Sequence, residues 1–261
     1  MENIEWYMYP LIVIAGFGAG FINTLAGSGS LITISLMLFM GIPAHLANGT
    51  NRVGVLFQTL TSTLSFRQEK ALDMRGGLIL SIPASIGSIL GAQIAVDLNE
   101  TVLDRTIGVL MLAMLVVILV RPNRWLQGRT EEIQEKPGIK QILVMFIIGI
   151  YGGFIQAGVG IFLLAGLVLS VGYGLVSANA VKTLIVLVFT AFALAVFIIN
   201  DQVLWGIGLL LALGNALGGW AAAKMAVKQG AGFVRWLLII VVFIAAMRQL
   251  GVFDLIGGLF V

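Results

Sequence analysis

Apolar residues form long runs along this chain and are separated by short polar breaks, instead of alternating with polar residues. Eight runs can be recognised, covering residues 9–41, 44–66, 76–96, 102–120, 140–171, 175–199, 203–223 and 233–250, and an apolar tail follows at 251–261. Most runs are close to the roughly 20 residues that a helix needs to cross a hydrocarbon core of about 30 Å. The pattern predicts an all-α, polytopic integral membrane protein.

Two of the runs, 9–41 and 140–171, are too long for a single crossing. A continuous helix of that length would span about 50 Å at 1.5 Å per residue. Each run carries a glycine-rich segment in its middle. We interpret each as a broken, re-entrant helical hairpin that enters the membrane, turns at the glycines and returns to its own side. For 9–41, one long tilted helix is the alternative.

The chain also repeats internally, with the long polar stretch 121–140 between the copies. The matching segments are residues 16–23 with 149–156, Gly27-Ser28-Gly29 with Gly158-Val159-Gly160, Gly41 with Gly172, Ala47-Asn48 with Ala178-Asn179, and Gly87 to Gly91 with Gly214 to Gly218. We therefore divide the chain into an N-terminal repeat (1–121), a linker (122–139) and a C-terminal repeat (140–261).

Basic residues concentrate in three of the polar breaks. They are Arg67, Lys70 and Arg75; Arg121, Arg124, Arg129, Lys136 and Lys140; and Lys224, Lys228 and Arg235. Loops that carry Lys and Arg tend to lie on the cytoplasmic side of a membrane. We therefore predict a protein of the inner (plasma) membrane whose linker is cytoplasmic. Each half is then one hairpin plus three crossings. Because that number of crossings is odd, the halves are predicted to be inverted repeats, a plan typical of secondary transporters.

Composition agrees with this interpretation and excludes several functions. Hydrophobic residues make up 59% of the chain and charged residues only 10%, against about 25% charged in soluble domains. A net charge of +3 does not suggest nucleic-acid binding. With no Cys and one His, we expect no metal site and no cofactor. No nucleophile–base pair or intramembrane carboxylate is evident, so an enzyme is disfavoured.

The glycine-rich breaks are the first candidate binding elements. A broken membrane helix leaves backbone N–H groups free at the start of its second half, and these groups, with the helix dipole, attract anions. Hydroxyl groups could add further donors. The residues predicted at the two breaks are Thr24, Ser28, Gly29, Ser30, Gly158 and Gly160. The alternative is that the glycines only allow tight helix packing.

Two cations interrupt otherwise apolar helices at nearly equivalent positions of the two halves, Arg52 and Lys182. A charge at such depth costs at least a few kcal/mol. Since no Asp or Glu lies in a helix interior, a bound anion is the partner that we predict. The alternative is that each side chain snorkels to the interface.

Uncharged polar residues surround these positions in the sequence. The candidates are Asn23, Gln156, Asn48, Asn179, Thr50, Asn51 and Thr183. Amide donors can bind sulfonate or carboxylate oxygens, or they can form interhelical hydrogen bonds, and the pattern leaves both uses open. His45, the one histidine, is interpreted as structural, with a role in proton coupling as the alternative.

At these residues the chain resembles the TauE/SafE family of sulfite exporter-like anion permeases. The resemblance covers nearly the whole chain and rests on Gly16-x3-Gly20-Phe21-Ile22-Asn23-Thr24-Leu25-Ala26-Gly27-Ser28-Gly29, on Gly41-Ile42-Pro43, on residues 47–52, and on Gly149-x2-Gly152-Gly153-Phe154 with Gly158-Val159-Gly160. Where the family often has three glycines, this chain has Gly27-Ser28-Gly29-Ser30.

The resemblance implies transport of sulfite, sulfonates, sulfoacetate-like compounds or other small organic anions, with a coupling proton. The hypothesis is a secondary anion transporter that works by alternating access around a midplane site between the repeats. The alternatives are an uncoupled anion channel, a membrane-embedded enzyme and a structural subunit. The sequence holds no signal for the oligomeric state.

Overall fold

The computed structural model describes residues 8–103, 105–106 and 138–249. Most of the predicted run 102–120, nearly all of the linker 122–139 and the tail 251–261 lie outside these residues. Within them every regular secondary-structure element is a helix. The helices are α1 Met8–Ala26, α2 Ser30–Phe39, α3 Ala44–Gln68, α4 Met74–Asp97, α5 Ile139–Phe154, α6 Val159–Gly166 with a π-helical turn at Leu167–Val171, α7 Leu175–Ile199, and α8 Trp205–Gln249, which is interrupted at Gly230.

Four helices in the described ranges, α1, α4, α7 and the first part of α8, are long and apolar enough to cross a membrane. Their outer faces carry large exposed apolar side chains such as Ile82, Leu213 and Ile198. Lipid can cover such a surface, whereas water would not. Together with the all-helical architecture, this confirms the prediction of a multi-pass, all-α membrane protein.

Helix α3 is as long as α7, with 25 residues, but it is much more polar. Most of its polar side chains, among them Asn48, Gln58 and Ser62, are buried. Helix α3 packs against α7 and α8, so neighbouring helices cover these groups. A polar helix is compatible with a bilayer when its polar groups face the protein interior.

The two long runs are both broken helices that fold back on themselves. Gly27 has a φ of +80° and ends α1, and Met37 near the end of α2 shares a buried cluster with Ile12 near the start of α1. In the second half, Gln141 at the start of α5 donates a hydrogen bond of 2.9 Å to the carbonyl of Ser170. The interpretation of 9–41 as one long helix is therefore wrong.

The two halves pack together through equivalent pairs of helices. Helix α1 packs on α8, and α4 packs on α5. At both contacts the glycines of the matched GxxxG pairs face backbone. A Cβ on Gly214 or Gly218 would overlap the carbonyl oxygens of α1, and one on Gly87 or Gly91 would overlap those of α5. The small residues thus allow the close helix approach that association in lipid requires.

Candidate functional site

The two helix breaks meet at the centre of the molecule. A Cβ added to Gly27 would overlap the backbone of Gly160, and one added to Gly160 would overlap Gly27. Gly158 has a φ of +75° and immediately precedes α6, so it plays the same turning role in its half as Gly27 does in the other. The breaks that the repeat aligns in sequence are therefore direct neighbours in space.

Lys182 of α7 reaches the break of the first half. Its Nζ donates to the carbonyl of Thr24 at 2.7 Å, to the carbonyl of Asn23 at 3.2 Å and to Oδ1 of Asn179 at 2.6 Å. These carbonyls belong to the last turn of α1. That of Asn23 also accepts from the backbone N–H of Gly27 at 2.9 Å, whereas carbonyls at a helix end such as that of Thr24 lack an intrahelical donor. The side chain is only 2% exposed.

Arg52 of α3 does the same for the break of the second half. Its Nη1 donates to the carbonyl of Gly152 at 3.0 Å and its Nη2 to that of Gly153 at 2.6 Å, in the last turn of α5. Nη2 also lies 3.4 Å from Oδ1 of Asn48, and the guanidinium stands over the ring of Phe197 at 4.5 Å. Asn48 in turn donates to the carbonyl of Phe154 at 2.8 Å.

Each buried cation therefore caps the broken helix of the opposite half. The negative end of a helix dipole favours a cation, so the carbonyls partly compensate both charges. A bound anion stays a prediction, but the carbonyls are partners that the sequence pattern did not reveal. The alternative of snorkelling is wrong for Arg52, because its side chain is fully buried and its guanidinium donates to backbone in the interior.

A small cavity adjoins Lys182. It lies where the second break meets α1, α3 and α7. Its lining residues are Asn23, Gln58, Thr59, Gln156, Val159, Gly160, Lys182, Thr183 and Val186. Five of the residues that the sequence predicts at the site, Asn23, Gln156, Gly160, Lys182 and Thr183, are thus brought together.

Two amides that are equivalent in the repeat lie on this cavity. Asn23 donates from Nδ2 to Oε1 of Gln58 at 2.7 Å, and Gln156 donates from Nε2 to Oγ1 of Thr190 at 2.6 Å. Oε1 of Gln156 is buried and has no hydrogen-bond partner among the described atoms. A buried polar group without a partner points to a ligand or a water that satisfies it.

The other predicted residues lie outside the cavity lining. Asn51 accepts from Thr33 at 2.5 Å, and Thr50 accepts from the backbone N–H of Leu204 at 2.9 Å. Asn51 thereby joins α3 to α2, and Thr50 joins α3 to the residue that precedes α8. The remaining positions are Thr24, which accepts from Gln58; Ser28, Gly29 and Ser30 of the first break; Gly158 of the second break; and Asn48, Asn179 and Arg52 of the capping contacts.

Sequence reasoning missed Gln58 and Thr59, which line the cavity. Gln58 connects Asn23 to Thr24, to which it donates at 2.7 Å. A signal was present in α3, because Asn51, Gln58 and Ser62 fall at helical spacing on one face of the helix. A polar stripe inside a membrane helix marks the face that points to the protein interior.

Outside the helices, a contact between the halves secures the end of the second hairpin. Tyr173 donates from its hydroxyl to Oδ2 of Asp73 at 2.5 Å, while Oδ1 of Asp73 caps α4 by accepting from the N–H of Gly76. Burial, together with the hydrogen bond and charge of Asp73, raises the pKa of Tyr173. The phenol therefore stays neutral and remains a donor.

His45 lies away from the cavity lining. Its Nδ1 is 3.8 Å from a carboxylate oxygen of Glu100, and both side chains are partly exposed. Among the described residues, no group of three His, Cys, Asp or Glu side chains is placed to hold a metal ion.

Comparison with known proteins identifies the family. The family described as "Sulfite exporter TauE/SafE" matches residues 12–248. The chain belongs to the TauE/SafE family. No solved structure matches it significantly.

Similar proteins of this family come from several bacteria. "Probable membrane transporter protein ORF9" of Sinorhizobium sp is 30% identical over 250 residues, which cover 96% of this chain and 95% of that protein. A "Probable membrane transporter protein" of Haemophilus influenzae is 27% identical over 93% of this chain and 94% of its own length. "Probable membrane transporter protein YunE" of Bacillus subtilis is 26% identical over 89% and 95%.

Membership of the TauE/SafE family makes the chain a membrane transporter that takes a small-molecule substrate in a lipid environment. This confirms the resemblance drawn from the glycine motifs. It also agrees with the prediction that the protein is not an enzyme, because the TauE/SafE relatives are named as transporters.

Proposed function

We propose that this protein is a secondary transporter that moves a small anion across the inner membrane by alternating access around the cavity beside Lys182. The substrate class is sulfite, a sulfonate or a related small organic anion. The observation that carries the proposal is the position of the buried Lys182 on a cavity formed where the two broken helices meet.

The cavity combines several features that attract an anion. The first two residues of α6, Val159 and Gly160, line it, and the start of a helix carries the positive end of its dipole. Lys182 adds a full positive charge. No Asp or Glu is among the lining residues, so no carboxylate repels an anion there.

Alternating access requires the two halves to move relative to each other. In our proposal the halves, 1–121 and 140–261, are inverted repeats joined by a cytoplasmic linker. The exchanged packing of α1 on α8 and α4 on α5 supports a symmetric pair. Rocking of one half against the other would expose a site at their junction first to one side and then to the other. A proton is the proposed coupling ion.

Purified protein in liposomes tests the proposal. We expect uptake of labelled sulfite or of the sulfonate isethionate to saturate with concentration, and an excess of unlabelled anion inside to accelerate it by exchange. An imposed proton gradient should drive accumulation. Uptake that never saturates and shows no exchange would favour the uncoupled channel, and no uptake of either anion by folded protein would contradict the proposal.

A further inference from the structure

The two halves contribute unequally to the positive charge at the cavity. Among the nine lining residues, Lys182 is the only one that carries a charge. The others are three amides, two threonines, two valines and a glycine. Amide and hydroxyl groups can bind oxyanion oxygens without adding to the net charge.

The second buried cation is held away from this cavity. Arg52 is bound to the carbonyls of Gly152 and Gly153 and stacked on Phe197, and it is absent from the lining. The charge of Lys182 is partly offset by the carbonyls of Asn23 and Thr24 at the negative end of α1, and the positive end of α6 opposes that offset. Among the described residues, the cavity therefore offers a net positive charge close to that of a single ammonium group.

We propose that the site selects singly charged oxyanions over doubly charged oxyanions of similar size. This inference rests on the proposed transport function and narrows its substrate class. A monoanion beside Lys182 forms a neutral pair. A dianion leaves one negative charge uncompensated among side chains that are almost fully buried, and an unpaired buried charge is strongly unfavourable.

Gln156 supports the same selectivity independently. Its Oε1 is buried, lies on a residue that lines the cavity and has no partner among the described atoms. Such an acceptor repels a fully deprotonated oxyanion but accepts a hydrogen bond from an O–H group of the ligand. It therefore favours the protonated, singly charged form of an oxyanion, such as hydrogen sulfite, or a sulfonate that carries a hydroxyl.

A pair of nearly equal-sized sulfonates tests the charge rule on the wild-type protein. Isethionate carries one negative charge at neutral pH, and sulfoacetate, in which a carboxylate replaces the hydroxymethyl group, carries two. Each is used to compete with the uptake of labelled isethionate into liposomes. We expect sulfoacetate to compete at least tenfold more weakly than isethionate.

A second cation in the cavity should change this ratio. In Gln58→Lys the new ammonium lies on the cavity lining, so competition by sulfoacetate should improve at least tenfold relative to isethionate. Gln68→Lys is the matched control, because it makes the same change on the same helix at an exposed position, and its ratio should equal that of the wild type.

The outcomes separate the two claims. Equal or stronger competition by sulfoacetate in the wild type overturns the charge rule while leaving anion transport intact. If folded wild-type protein transports neither isethionate nor sulfite, the proposed function itself fails and the charge rule fails with it.

Discussion

At the scale of single residues, the central feature is the pair of buried cations that cap opposite helices. Lys182 binds the end of α1 and Arg52 binds the end of α5. Each therefore belongs to one half and stabilises the break of the other. The two differ in that Lys182 also lines the cavity and Arg52 does not, so our proposal gives ligand contact to the lysine and a structural role to the arginine.

Replacing Arg52 tests its structural role. Arg52→Met keeps much of the side-chain volume but leaves the carbonyls of Gly152 and Gly153 without their donors. A buried group without a partner costs about 1–3 kcal/mol, so we expect the free energy of unfolding to fall by about 2 kcal/mol or more. Thermal or denaturant unfolding in detergent measures this.

Arg67→Met is the matched control, because Arg67 is exposed on the same helix. Its stability should stay close to that of the wild type. If the two variants are equally stable, the capping role of Arg52 is wrong.

Sequence reasoning located the cations but not their partners. The positions of Arg52 and Lys182 are evident because a charge is conspicuous within an apolar run. Apart from the side chains of Asn48 and Asn179, their acceptors are backbone carbonyls, and these leave no trace in the pattern of side chains. The partners depend on which helix end lies opposite, and that is a property of the packed fold.

At the scale of the elements, the broken helices depend on glycine for two different reasons. Gly27, Gly41, Gly158 and Gly172 have positive φ angles, and they occupy equivalent positions in the repeat. Gly27 and Gly160 also approach each other too closely for a Cβ. The need for a positive φ and the need for a close backbone contact can be tested separately, because some glycines of this protein have only one of the two.

Gly27→Ala and Gly41→Ala form a matched pair for this purpose. Their φ angles are +80° and +75°, so both substitutions carry a left-handed strain of about 1–2 kcal/mol. Only Gly27 faces backbone, whereas a Cβ on Gly41 would meet nothing within 4 Å. We expect Gly27→Ala to lose both more stability and most of the transport activity, as measured by unfolding and by uptake into liposomes.

Gly160→Ala adds a case of contact without strain, since its φ is not positive. It should resemble Gly27→Ala in transport. Full activity of both variants would show that the junction of the breaks is not part of the site.

The elements themselves were largely predictable. Length identified the two broken runs, because a single helix of such length does not fit the bilayer, and the glycines located the turns. The π-helical turn at Leu167–Val171 was not predictable, since its apolar residues suit an α-helix equally well. The buried polar face of α3 was not predicted either. Its polar residues form one stripe along the helix, and only some of them were recognised as candidates for the site.

At the scale of the whole molecule, the symmetry of contacts suggests how the halves cooperate. The polar helix α3 and its counterpart α7 pack together near the centre, and each also packs on a helix of the other half. The duplication was visible in the sequence. Its inversion is a prediction from the distribution of basic loops, and it requires equivalent loops of the two halves to lie on opposite sides.

Cysteine labelling measures this sidedness, and the chain has no native cysteine to interfere. Glu69 follows α3 and Asn200 follows α7, at equivalent places in the two halves, and both are exposed. In intact cells an impermeant maleimide should label Asn200→Cys and should label Glu69→Cys only after the membrane is opened. Labelling of both from the same side would contradict the inverted arrangement.

Anion flux through a variant of Lys182 tests the central claim most directly. Lys182→Gln removes the charge from the cavity but keeps a donor for the carbonyls of α1, and Lys140→Gln makes the same change at an exposed position. With both variants folded in liposomes, we predict that uptake of labelled isethionate falls at least tenfold in Lys182→Gln and stays at the wild-type level in Lys140→Gln. Wild-type uptake by Lys182→Gln would contradict the account.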